Sequence, residues 1–381
     1  MSACLIRSSI CQKEVSMKNP MTRRDFIRLL ALGSGGMVLA ACGQPAAPAA
    51  QPTAAKAAAT TAPAAAPTAA QAAAAAAPTA ASAATFKPSR PVTLICPWAA
   101  GGGTDRVARM VATLLEKDLG QPVNVVNRTG GGGAVGHTAG ATADPDGYTF
   151  TIVTVEIAMM HWMGLAQVGP KDFTPICQVN FDAAGVQVKA EAPWKTVKEL
   201  LDEAKANPGK LKASGTGKGG IWDLARAGML KTAGIPVDAI PWVPSEGAAP
   251  ALQELISGGI QVVTASLPEG QSLIEAKKVR ALGIMADERL ANFSDVPTLK
   301  EQGLNWVMGS WRGFGLPKNT KPEIVAFYEN AIKKVYDSAE FKDFMTKNSF
   351  GMKWRTSKEF GQFMDETDDT MGKLMKETGL I

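Results

Sequence analysis

The chain has 381 residues, enough for two or three domains, with 20% charged residues and a formal net charge of +5. That balance, with no dense lysine/arginine stripe, argues against a nucleic-acid surface. With only two histidines, His137 and His161, there is no material for a His-rich metal site or for several histidine-based catalytic dyads.

In chain order, the first legible segment is "TRRDFIRLLALGSGGMVLAACG", Thr22 to Gly43. Arg23-Arg24 followed by Phe26 resembles a twin-arginine export signal. The apolar stretch from Leu29 to Ala41 is shorter than the roughly 20 residues a spanning helix needs. Leu39-Ala40-Ala41-Cys42 resembles a bacterial lipobox, in which Cys42 is lipidated and becomes the new N-terminus. Residues 1–42 therefore read as a lipoprotein signal, and the protein is expected to be exported and anchored on the outer side of the cytoplasmic membrane. Residues 43–85 are almost entirely Ala, Pro, Thr and Gln, with Lys56 the only charge. Recurrent prolines interrupt any helix and no large apolar side chain can build a core, so this is a linker. Fully extended, it reaches roughly 140 Å. Cys4, Cys11 and Cys42 belong to this leader. Cys96 and Cys177 lie in apolar, strand-like surroundings and read as buried thiols rather than a disulfide.

From Pro91 onward, strand-like and helix-like segments alternate. "VTLIC" has strand length, and after the loop "WAAGGGTD" the residues Val107, Met110, Val111, Leu114, Leu115 and Leu119 fall at helical spacing. Gly120 and Pro122 stop that helix. "VNVVN" is a second strand, and "DPDGY" turns into the third, "TFTIVTV". Val197, Leu200, Leu201 and Ala204 mark a helix halted at Asn207-Pro208-Gly209, followed by the strand-like "KLKAS". A helix over 222–232 leads to "AIPWV", and Leu252, Leu255 and Ile256 lead through Gly258-Gly259 into "IQVVTAS". "VRALGIMA" is a further buried strand, and Ile324, Phe327, Tyr328 and Ile332 share one face of a C-terminal helix. The alternation predicts an α/β protein with mostly parallel sheets.

Two glycine loops, "WAAGGGTD" and "SGTGKGGIWDLA", each end a strand and open a helix, where backbone N–H groups and the helix dipole favour an anion. The second loop contains Gly215-x-Gly217-x-x-Gly220, a dinucleotide-like spacing. No acidic residue closes a following strand at the required distance, however, and Lys218 is followed by Gly219 instead of Ser or Thr as in a phosphate loop. An exported cofactor-dependent oxidoreductase using that loop is the alternative reading. No G-x-S-x-G is present. His137 and His161 read as packed or surface histidines, and Trp98 and Trp222 adjoin the loops as candidate ligand walls. Asp105 sits in a first helical turn, where it either caps the helix or shapes the site. Two such loops facing each other across a cleft suit a small carboxylate.

The stretch from Pro97 to Phe150, together with "SGTGKGGIWDLA", "GAAPALQELISGG", "VRALGIMADERLANFSDVPTLKEQG" and "WRGFGLPKNTKPE", resembles the substrate-binding proteins of tripartite tricarboxylate transporters, also called Bug receptors. The resemblance implies a type II periplasmic-binding-protein fold, with two α/β domains around a hinge cleft. Residues 86–184, completed by 306–381, would form domain 1, and residues 185–305 domain 2. It implies no catalysis and no cofactor or metal. It implies a monomer that hands a di- or tricarboxylate, aromatic acid or amino acid to integral membrane permease subunits. Carried onto this sequence, the ligand loops are Trp98, Ala99, Gly101, Gly102, Gly103, Thr104 and Asp105, then Thr216, Gly217, Lys218, Gly219, Gly220 and Ile221. Ser245, Glu246, Gly247 and Ala248 form a third edge, and Thr154 ends the "TIVT" strand. Asp223 stands where the family's pattern leads one to expect histidine. It is either a solvated turn residue or, with Glu246, a group that favours a ligand also carrying an amino group.

Overall fold

The computed structural model describes residues 86–381. The export signal, Cys42 and the linker lie outside the described residues. Strand β1 (Val92–Cys96) lies one strand in from the edge of a six-stranded sheet, parallel to the edge strand β2 (Val123–Asn127) on one side and β3 (Thr149–Thr154) on the other. Between β1 and β2 runs helix α1 (Gly103–Leu119), which buries Val107, Val111, Leu114 and Leu115 at three-to-four-residue spacing. The short helix α2 (Ala134–Ala141) connects β2 to β3.

Two long strands complete this sheet and leave it. Strand β4 (Phe173–Ala183) runs antiparallel to the returning strand (Gly309–Pro317), from Phe173 opposite Pro317 to Ala183 opposite Gly309. Past Ala184 the chain enters a second, four-stranded sheet built from β5 (Gly185–Lys189), β6 (Ala213–Ser214), β7 (Val262–Val263) and β8 (Val279–Ile284). Helices α3 (Val197–Ala206), α4 (Ile221–Thr232), α5 (Ala248–Ser257) and α6 (Leu267–Glu275) lie between those strands in sequence. The chain returns as β9 (Gly309–Pro317), which pairs antiparallel with β3, Thr154 facing Arg312. Helices α7 (Pro322–Asp337) and α8 (Ala339–Lys347), strand β10 (Met352–Arg355) and helix α9 (Ser357–Glu377) finish the chain, with β10 on the edge beside β4.

The protein is thus two α/β lobes joined by crossing strands. One apolar cluster, including Leu94, Val111, Phe150, Phe314 and Tyr328, fills the first lobe. A second, including Leu200, Trp222, Met229 and Leu252, fills the other and takes in Phe360, Met364, Met371 and Met375 of α9. The expectation of mostly parallel sheets is corrected. Parallel pairing is confined to β1 with β2 and β3, and to β6 with β7, whereas β4, β5, β8, β9 and β10 pair antiparallel. The reason is topological: a strand that enters the other lobe and one that comes back run in opposite senses beside each other. Cys96 and Cys177 are buried free thiols, and burial pushes the Cys96 thiol up to about 12.

Candidate functional site

The two glycine loops are built alike. In the first lobe, Gly101 adopts φ of +82°, open to glycine but strained for other residues, and its amide donates to Asp105 Oδ2 at 2.9 Å. In the second, Gly219 adopts φ of +72°, and its amide donates to Asp223 Oδ2 at 2.9 Å. Each aspartate lies in the first turn of the helix that follows, and each is paired one turn on with an arginine of its own lobe. Asp105 meets Arg109 at 2.8 Å, and Asp223 meets Arg226 at 2.6 Å. Burial acts to raise the Asp105 carboxyl, but Arg109, the Gly101 amide and Asn127 together hold it below its usual range. The sequence reading of Asp223 as a free anion at the ligand is corrected. It is buried, its charge is matched by Arg226, and it shapes the loop from behind.

A small cleft lies between the lobes. Of the expected residues, Trp98, Ala99, Gly102, Gly103, Thr104, Thr154, Thr216, Gly247 and Ala248 line it. Gly102 to Thr104 begin α1, Thr216 and Trp222 flank the start of α4, and Gly247 and Ala248 begin α5, so three helix N-termini meet at one cavity. Gly101, Asp105, Gly219 and Gly220 lie outside the lining and organise the loops. Ile221 uses its amide on Glu156. Ser245 donates to the Gly247 carbonyl at 3.0 Å, and Glu246 is exposed, with its carbonyl accepting from the Ala99 amide of the other lobe at 3.0 Å. Lys218 is exposed and lines a different surface hollow with Arg226 and Trp242. At Gly217 the lobes touch, since an added Cβ would sit 2.4 Å from Gly132 Cα. That contact crowds the Gly217 backbone where a dinucleotide pyrophosphate would approach, which counts against the dinucleotide reading.

Four lining residues were not anticipated: Glu156, Glu269, Ser310 and Arg312. Arg312 on β9 is buried at the crossing, where it reaches Asp182 and Asn180 of β4, Thr104 of α1 at 2.9 Å and Glu269 of α6 at 3.2 Å. Glu269 accepts the Gly103 amide at 3.1 Å, and Glu156 accepts the Thr154 hydroxyl at 2.6 Å and the Ile221 amide at 3.3 Å. Burial pushes both glutamates above the ordinary carboxyl range. Their signal in the sequence was a single charge inside an apolar run, "VTVEIAMM" for Glu156 and "GSWRGFG" for Arg312.

His137 stands behind the site. Its Nδ1 donates to the Gly133 carbonyl at 2.8 Å, and its Nε2 accepts from the Thr154 amide at 3.2 Å, so the neutral ring buttresses a lining residue. Burial pushes its pKa from 6.5 down to about 4. Between those values the unfolded chain binds a proton that the folded one refuses, so stability falls as pH falls. We expect a loss of about 3 kcal/mol from this group between pH 7 and pH 4. Urea unfolding across that range should show it, and His137→Gln should flatten that part of the profile. An unchanged slope in the variant would contradict the assignment.

Known proteins give the same outline. The family model described as "Tripartite tricarboxylate transporter family receptor" matches residues 107–380. A relative from Cupriavidus necator, "UPF0065 protein in gbd 5'region", is 33% identical over 77% of this chain and 89% of its own length. The structure of MatC from Rhodopseudomonas palustris with bound malate is 27% identical, with a TM-score of 0.70, over 75% of this chain and 99% of that one. R. palustris Rpa4515 with adipate is 26% identical, with a TM-score of 0.73, over 77% and 98%.

Proposed function

The chain belongs to the tripartite tricarboxylate transporter receptor family, and on that premise we propose that it captures a small carboxylate in the interlobe cleft and delivers it to the membrane subunits of its transporter. Members of this family are extracytoplasmic solute-binding receptors, not enzymes, and no described helix is long and apolar enough to cross a membrane. In this reading residues 86–184 with 306–381, and residues 185–305, close on the ligand as two lobes. The expected ligand residues are those of the three loops at 98–105, 216–221 and 245–248, with Thr154 beside them. Cys42 tethers the monomer to the membrane through its lipid, and the linker leaves the lobes free to reach the permease.

The observation that carries this reading is the convergence of the α1, α4 and α5 N-termini on one cavity drawn from both lobes. Backbone amides at helix starts bind a carboxylate without a dedicated arginine clamp. The malate in MatC and the adipate in Rpa4515 support the same ligand class. A thermal-shift screen of the purified protein against dicarboxylates, tricarboxylates, aromatic acids, amino acids and nucleotides tests it. A ligand at 100 times its dissociation constant should stabilise the fold by about 2.7 kcal/mol. A shift with NAD or flavin alone would overturn the reading. For the tether, Cys42→Ser should move the protein from the membrane fraction to the soluble one, and no change would count against lipidation.

A further inference from the structure

Resting on the receptor reading above, we propose that the ligand is a zwitterion, an acid bearing a protonated amine, and that Glu156 and Glu269 select the amine. The three helix starts at the cavity are not equivalent. At α1 the Gly103 amide is already bonded to Glu269, and at α4 the Ile221 amide is bonded to Glu156. Each glutamate comes from the lobe opposite the helix it meets. Helix α5 has no acidic residue in its first turn and no side-chain cap, so its start at Gly247 and Ala248 is the one left for a ligand carboxylate.

The remaining charge at the cavity then decides what the other end of the ligand must be. Arg312 is the one cation among the lining residues, and it is already shared between Asp182 behind the cavity and Glu269 on its wall. Glu156 has no cationic partner among its hydrogen bonds. Arg106 is bonded to Asn348, and Lys218 faces another hollow, so neither lines the cavity. A second ligand carboxylate here would meet two buried carboxyl groups, with Arg312 already engaged by Asp182 and Glu269. An ammonium brings three N–H donors and one positive charge to glutamate oxygens that can each accept more than one hydrogen bond. Thr216 supplies an independent sign that a polar group belongs here. It lines the cavity, is only 5% exposed, and its hydroxyl has no hydrogen-bond partner among the described residues.

Titration calorimetry on the purified full chain tests this with matched pairs that differ only in the amine. Suitable pairs are L-aspartate against succinate, L-glutamate against glutarate, γ-aminobutyrate against butyrate, and L-leucine against 4-methylpentanoate. At least one amino acid should bind about 100-fold more tightly than its amine-free counterpart. Glu156→Gln and Glu269→Gln, which keep shape and hydrogen-bonding oxygens, should each cut that ratio about tenfold. A merely structural role would weaken both members of a pair together and leave the ratio alone. Amine-free acids binding as tightly as their partners, or a ratio unmoved by both substitutions, would overturn the proposal while leaving the receptor standing. Binding of neither class would overturn the receptor reading itself.

Discussion

Arg312→Met should lower the free energy of unfolding by about 3–5 kcal/mol, the cost of stripping one partner from a buried ion pair. The guanidinium is 2% exposed and faces Asp182 at 1% and Glu269 at 5%, so no water replaces it. Burial acts to lower the Arg312 pKa, but Asp182 and Glu269 hold it above its ordinary value, so the charged form belongs to the fold. Methionine restores much of the volume and none of the charge. It leaves two carboxylates and the Asn180 and Thr104 oxygens without their donor. Urea unfolding measures the loss, and adding Asp182→Asn should recover part of it by removing one stranded charge. A loss below about 1 kcal/mol, the range of an exposed pair, would refute the buried cluster.

Gly217→Val should cost ligand affinity roughly 100-fold or more while leaving stability within about 1 kcal/mol. The atoms nearest an added Cβ belong to the Gly132 backbone of the opposite lobe. A branched side chain therefore blocks approach of the lobes without disturbing either core. Because Ala99 also bonds to Glu246 across the same gap, holding the loops apart breaks a second interlobe link. Calorimetry with the tightest ligand of the wild type, set beside an unfolding curve, separates the two effects. Equal losses of binding and stability would mean that the valine disrupts its own lobe instead.

The glycine loops and the helices behind them were legible because the local code is strong. "GGGTDRVAR" and "GGIWDLAR" combine turn glycines, a first-turn aspartate and an apolar stripe, and all of these are short-range signals. The returning strand β9 was not, because "GSWRGFGLP" carries three glycines and a proline and has little strand character of its own. It is a strand because β3 and β4 flank it, which is information from residues more than 120 positions away. The same limit hid Arg312 and Glu269 from the site. One is on that strand and the other on α6, and only the crossing of the chain brings both to the start of α1. Asp223 was misread for the complementary reason. It was grouped with Glu246, 23 positions on, although Arg226, one helical turn away, is the group that neutralises it.

The paired aspartate–arginine braces have a kinetic meaning. Each recognition loop is fixed by contacts inside its own lobe: Gly101, Asp105 and Arg109 on one side, Gly219, Asp223 and Arg226 on the other. The turn at each first-turn aspartate is thus set within its own lobe, while Ala99 and Gly103 add hydrogen bonds to the opposite lobe. Capture can therefore begin on either half, and little ordering entropy is charged against the encounter. Association is then limited by diffusion and orientation, on the order of 10⁵–10⁷ M⁻¹s⁻¹, and differences between competing solutes reside in how long each stays. Selectivity in such a receptor is a matter of residence time, set after the lobes have met.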